Sequence, residues 1–118
     1  MAKKRDIVSR LADLLIDLTK RGQLEWRFGE MNHKTGDFRA RHKDYVINLE
    51  GVYSVQKEDY FRFRLIPRRF LECFDREIGF RTYRVSNKEQ PETYMAVARL
   101  VEQIRHQLDV RLLSEVAG

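Results

Sequence analysis

The arginines at positions 27, 39, 41, 62 and 64 are the residues whose type and spacing bear most directly on chemistry. A guanidinium group grips phosphates and carboxylates through paired hydrogen bonds and stacks on flat rings, so several on one surface make a receptor for anions. Arg62 and Arg64 alternate with Phe61, Phe63 and Leu65 inside the stretch Tyr60–Ile66. In a pleated strand that alternation sends rings and cations to opposite faces. Arg39 and Arg41 alternate with Phe38 and Ala40 in the same way, and Arg27 stands between Trp26 and Phe28. If these strands form one meander, Arg27, Arg39, Arg41, Arg62 and Arg64 share a face, with Tyr60 beside them and Arg81 or Arg84 at the margin. Arg68 and Arg69 extend the basic set just past the strand. Glu25, Asp37 and Glu50 fall on the same nominal face, so cross-strand pairing competes with partner binding for these charges.

Other chemistry finds less support. His33, His42 and His106 are the only histidines, and none stands at a ligand-pair spacing from another His or Cys. The nearest combination adds Asp37 or Asp44 to His33 and His42. Cys73 lies among Phe70, Leu71 and Phe74 and reads as a small buried hydrophobe, not an activated thiolate. Ser54, Ser86 and Ser114 lack the glycines of a nucleophile elbow. The carboxylate pairs Glu58-Asp59 and Asp75-x-Glu77 fall where turns are expected, and the glycines are too scattered to cradle a phosphate. Trp26, between Leu24 and Phe28, reads as core and not as a base-stacking platform. The expectation is a protein with no catalytic residues, no metal and no cofactor.

A chain of 118 residues with 42% hydrophobic and 35% charged residues has the size and composition of one soluble domain. Apolar runs are short, which argues against a signal peptide or a membrane span. A single cysteine forms no internal disulfide and suits a reducing, cytoplasmic setting. The net charge of +5 permits attraction to polyanions without identifying one. It is unevenly spread: residues 27 to 84 carry 13 Lys and Arg against 9 Asp and Glu, whereas residues 85 to 118 carry 4 against 5.

The elements that must position the arginines follow from periodicity. Ile7, Leu11, Leu14, Leu15 and Leu18 predict a helix from Asp6 to Arg21, closed by Gly22. Strands are predicted at Leu24–Phe28, Asp37–Arg41, Tyr45–Glu50, Val52–Val55 and Tyr60–Ile66, with a loop over Gly29–Gly36, a turn at His42–Asp44 and another at Lys57–Asp59. Gly51 marks a bulge between the third and fourth of these. After Pro67, Arg69–Phe74 and Phe80–Val85 read as a hairpin turning across Asp75–Gly79, although Phe70, Leu71, Phe74 and Ile78 also fit a helical stripe. Ser86 and Asn87 are capping types, and Pro91 suits the first turn of a long helix carrying Tyr94, Val97, Ala98, Val101, Ile104 and Leu108. Leu112, Leu113 and Val116 either extend it or form a short helix capped by Asp109. The predicted class is α+β: an antiparallel meander of about five to six strands with an amino-terminal and a carboxy-terminal helix packed on one face.

The leading helix, the Gly22-x-Leu24-x-Trp26 run, the meander with Asp75–Gly79 at a hairpin turn, and a closing helix through Leu108-Asp109-Val110 together resemble small bacterial helix, meander and helix domains of unassigned function. The likeness spans roughly Leu14 to Val116. It implies a free-standing or appended α+β module without catalytic residues. The sequence thus leads to a non-enzymatic interaction module that binds an unidentified protein partner through its arginine-bearing face. Nucleic acid is the alternative ligand for the same face, and self-association into a homo-oligomer stays open.

Overall fold

The computed structural model describes residues 7–28, 35–53, 59–67 and 81–118. Helix α1 runs Ile7–Lys20 and is closed by Gly22, whose backbone takes the left-handed conformation at φ 72°. Five strands follow: β1 (Trp26–Phe28), β2 (Thr35–His42), β3 (Tyr45–Tyr53), β4 (Asp59–Pro67) and β5 (Arg81–Ser86). They lie in sequence order in one sheet, each antiparallel to the last. Helix α2, Pro91–Ala117, completes the chain. No helix among the described residues is long and apolar enough to cross a membrane.

Period-two alternation decides which side of the sheet is covered. Trp26, Phe38, Ala40, Ile47, Leu49, Phe61, Phe63 and Val85 all point to one face and are buried there. Helix α2 crosses that face with Ala96, Val97, Leu100, Val101 and Ile104, and the Tyr94 ring stacks on Phe61 with centroids 4.8 Å apart. Helix α1 packs chiefly against α2, with Val8, Ala12 and Leu15 completing the core.

Trp26 is where the layers meet. Its indole Nε1 donates to Thr19 Oγ1 on α1 at 2.9 Å, and the Thr19 hydroxyl in turn donates to the Leu15 carbonyl at 2.6 Å. Its backbone N–H donates to Gln107 Oε1 on α2 at 2.8 Å, while Gln107 Nε2 donates to the Leu24 carbonyl at 2.7 Å. The Gln107 amide therefore serves one acceptor and one donor on the outer edge of β1, as a neighbouring strand would.

Several sequence expectations change. The strand expected to break at Gly51 is continuous: Gly51 pairs with Gly36 on one side and Phe61 on the other with no shift in register, so there is no bulge. Pro67 ends β4 opposite Tyr45 instead of interrupting a ladder, a strand-end position where a missing N–H is tolerated. Asp59 opens β4 and does not lie in a turn. Tyr60–Leu65 pairs with β5, the strand read as the second arm of a hairpin; its expected first arm, Arg69–Phe74, lies outside the described residues. The turn between β2 and β3 narrows to Lys43 and Asp44, with Lys43 at φ 54°.

The helices also differ in detail. In α1 the buried line runs through Val8, Ser9, Ala12, Leu15 and Thr19, leaving Ile7 and Leu14 about half exposed. Small residues face α2 because they allow close approach, and Ser9 Oγ reaches Thr93 Oγ1 at 3.3 Å. Helix α2 is capped at Gln90 and not at Ser86 or Asn87. Those two bond elsewhere: Ser86 Oγ accepts from the N–H groups of Lys88 and Glu89 in the preceding turn, and Asn87 Oδ1 accepts from the N–H of Asp59, the first residue of β4. Leu112, Leu113 and Val116 continue α2 beyond the core and are exposed.

Thr19→Val removes the acceptor for a buried indole N–H at nearly constant volume, and should lower stability by about 1 to 3 kcal/mol in urea denaturation. Phe63→Ala, at a fully buried ring, should cost about 3 to 5 kcal/mol in the same measurement.

Candidate functional site

The pairing register turns the uncovered face of the sheet into rows that run across the strands. One row reads Arg27, Arg39, Asn48, Arg64 and Thr82, a residue from each strand in order. The next reads Asp37, Glu50, Arg62 and Arg84. On the other side of the first row, Arg41, Val46 and Ile66 lie level with one another. Adjacent strands are about 4.8 Å apart, so the backbone positions of Arg27 and Arg64 are separated by three such steps, roughly 14 Å.

All five strand arginines expected to share a face do so. Of the two marginal candidates, Arg84 belongs to this face, and Arg81 pairs with Leu65 in the backbone register. Tyr60 also lies here, with the Arg84 guanidinium 4.1 Å above its ring centroid. Arg68 and Arg69 lie outside the described residues, as do His33, Cys73, Glu58, Asp75 and Glu77. Among the described residues, no three His, Cys, Asp or Glu side chains gather as metal ligands would.

Charge on this face is matched at some arginines and left unmatched at others. Arg62 Nη1 meets Glu50 Oε2 directly across the β3–β4 pair at 3.5 Å, and Arg39 Nη2 meets Asp37 Oδ2 along β2 at 3.7 Å. Both pairs are partly exposed and each adds no more than about 1 kcal/mol. Arg27, Arg41 and Arg64 meet no carboxylate among the described residues. Arg64 is the most telling of the three. It is half-buried, its cross-strand neighbours are the neutral Asn48 and Thr82, and its Nε lacks a hydrogen-bond partner.

The face is concave. A hollow of about 1040 Å³ is lined by Arg27, Arg39, Arg41 and Arg64 with Asn48, Val46 and Ile66, and Glu25 is the one carboxylate on its wall among the described residues. A hollow that gathers four guanidinium groups focuses positive potential toward whatever enters it. Among the described residues the lining holds no lysine, so the geometry on offer there is the planar, bidentate grip of guanidinium. Trp26, fully buried on the opposite side, takes no part.

Sequence reasoning missed Asn48. It stands between Ile47 and Leu49, so alternation alone puts it on this face; its place opposite Arg64 depends on a register that local pattern does not encode. Among known proteins, no family model, curated protein or solved structure matches the chain.

An unmatched, half-buried cation is retained at a cost to the fold. Arg64→Met, which keeps the aliphatic stem and drops the charge, should leave stability unchanged or raise it by about 1 kcal/mol in urea denaturation. A loss beyond about 2 kcal/mol would mean that Arg64 is a structural residue.

Proposed function

We propose that this domain works by binding and not by catalysis, and that an anionic macromolecular partner docks in the arginine-lined hollow of its sheet. The observation that carries the reading is the set Arg27, Arg41 and Arg64, three guanidinium groups in one concavity that form no ion pair with an acid among the described residues. Arg39 and Arg62 hold their own carboxylates and frame the site. Surface cations are ordinarily scattered among acids. Here Asp37 and Glu50 are engaged by Arg39 and Arg62, Glu25 on the wall makes no ion pair with the three among the described residues, and the hollow offers its charge to a partner from outside.

An acidic protein surface and a nucleic acid both supply that charge, and both suit a face that places apolar Val46 and Ile66 beside the arginines. The lone cysteine, which forms no internal disulfide, supports a reducing compartment, the cytoplasm, as the setting of the encounter.

Heparin agarose tests the reading without presuming the partner. The wild-type domain should be retained at low salt and released as salt rises, because counterions freed on binding drive the association. Arg27→Glu combined with Arg64→Glu should abolish retention while leaving the circular dichroism spectrum unchanged. Arg99→Glu combined with Arg105→Glu alters net charge equally on the exposed side of α2 and should leave most retention intact. Failure of the wild type to be retained, or equal loss in both double variants, would remove the proposal.

A further inference from the structure

Asn48 lies among the residues lining the hollow, is only 9% exposed, and its Oδ1 has no hydrogen-bond partner. Arg64 sits directly opposite in the β3–β4 register, and its Nε is buried and unpartnered as well. Buried polar atoms without partners are uncommon and costly, so two of them side by side on the floor of one hollow ask for a ligand. Their chemistry is specific. Asn48 Oδ1 accepts and requires a donor; Arg64 Nε donates and requires an acceptor.

That pair separates the two classes of partner. Ionised carboxylates of an acidic protein, and phosphates by themselves, only accept hydrogen bonds. By themselves they satisfy Arg64 and leave Asn48 as it was, and a protein must place a separate N–H or O–H donor beside its carboxylate to serve both. A nucleobase presents a donor beside an acceptor on one edge, while the strand that carries it supplies phosphates for the surrounding arginines. A duplex shows such an edge in its major groove as well, but a base held in the stack cannot descend to the floor of a hollow, whereas an unstacked base can, which selects a single strand over a duplex. Val46 and Ile66 give the ring an apolar wall next to the polar pair. Both floor atoms are covered in the free protein, and a change of side-chain rotamer, the commonest adjustment at binding surfaces, brings them to the ligand.

Resting on the binding reading above, we propose that the partner is a single-stranded nucleic acid, one of whose bases docks against Asn48 and Arg64 while flanking phosphates pair with Arg27 and Arg41.

Fluorescence anisotropy with a labelled single-stranded DNA 12-mer tests this, using three comparison ligands: the same strand with abasic sites throughout, the duplex, and poly-glutamate. The intact strand should bind about tenfold or more tightly than the abasic strand, since a good base contact carries at least that much discrimination. Asn48→Leu should erase most of that difference and leave poly-glutamate binding unchanged. The abasic comparison uses the wild-type protein, so it decides the matter even if Asn48→Leu folds poorly. Equal affinity for intact and abasic strands, or tighter binding of the duplex or of poly-glutamate, overturns the single-strand proposal while leaving the anion-binding reading in place. Binding to none of the four overturns both.

Discussion

The indole of Trp26 is the joint on which this architecture depends. A short first strand at the edge of a sheet has only one neighbour to hold it, and β1 is three residues long. What fixes it is a set of bonds made at one residue, the ring N–H to Thr19 on α1 and the backbone N–H to Gln107 on α2. With Trp26 turned fully into the core, the pleat leaves the next residue no choice but to face outward. That residue is Arg27. The position of a candidate ligand-binding cation is thereby set by a tryptophan on the opposite side of the sheet, and Gln107, which closes the strand edge, belongs to the support of the site as much as to the core.

The same coupling runs through the sheet's interior. Arg39 is flanked by Phe38 and Ala40, and Arg64 by Phe63 and Leu65, so each cation in the first row is carried on backbone whose neighbouring side chains help fix the core. The second row has a different role. Asp37 and Glu50 hold Arg39 and Arg62, and Arg84 rests on Tyr60. Groups that are already satisfied limit the charge on offer and confine it to the hollow. A uniformly basic sheet would attract polyanions everywhere and position them nowhere; matched arginines beside unmatched ones give the surface a direction.

Which parts of this could be read from residues alone follows from the range of the forces involved. The two-residue alternation in Tyr60–Ile66 and Asp37–Arg41 is local, so the segregation of rings from arginines was legible, as were both helices and the antiparallel class of the sheet. Relations between strands were not. Whether Asp37 neutralises Arg39 or Arg27, and whether Asn48 lies opposite Arg64, depends on registers fixed by turns and by the common core. Gly51 misled because a glycine inside a strand commonly marks a kink; here it sits level with Gly36 in an inward row, where two strands pass with no side chains between them. The stripe in α1 misled for a related reason: Ile7 and Leu14 are the larger apolar groups, but close packing on α2 selects Ser9 and Ala12 instead. Ser86 and Asn87 have the chemistry of helix caps, but Ser86 uses it on the turn that joins β5 to α2 and Asn87 on Asp59, the first residue of β4.

Arg64 brings fold and binding together because it is costly to keep. A core that needed only stability would place a neutral side chain between Asn48 and Thr82, since a half-buried guanidinium loses hydration that nothing nearby replaces. Glu50 shows that the sheet can supply a carboxylate across the β3–β4 pair when one is called for, and it supplies it to Arg62, two residues earlier on the same strand. The contrast between these two positions is chemical and not steric, for both lie on the same face with the same partner strand. Local inconsistencies of this sort, inside a sheet otherwise regular in register and burial, are where a sequence answers to something other than its own folding.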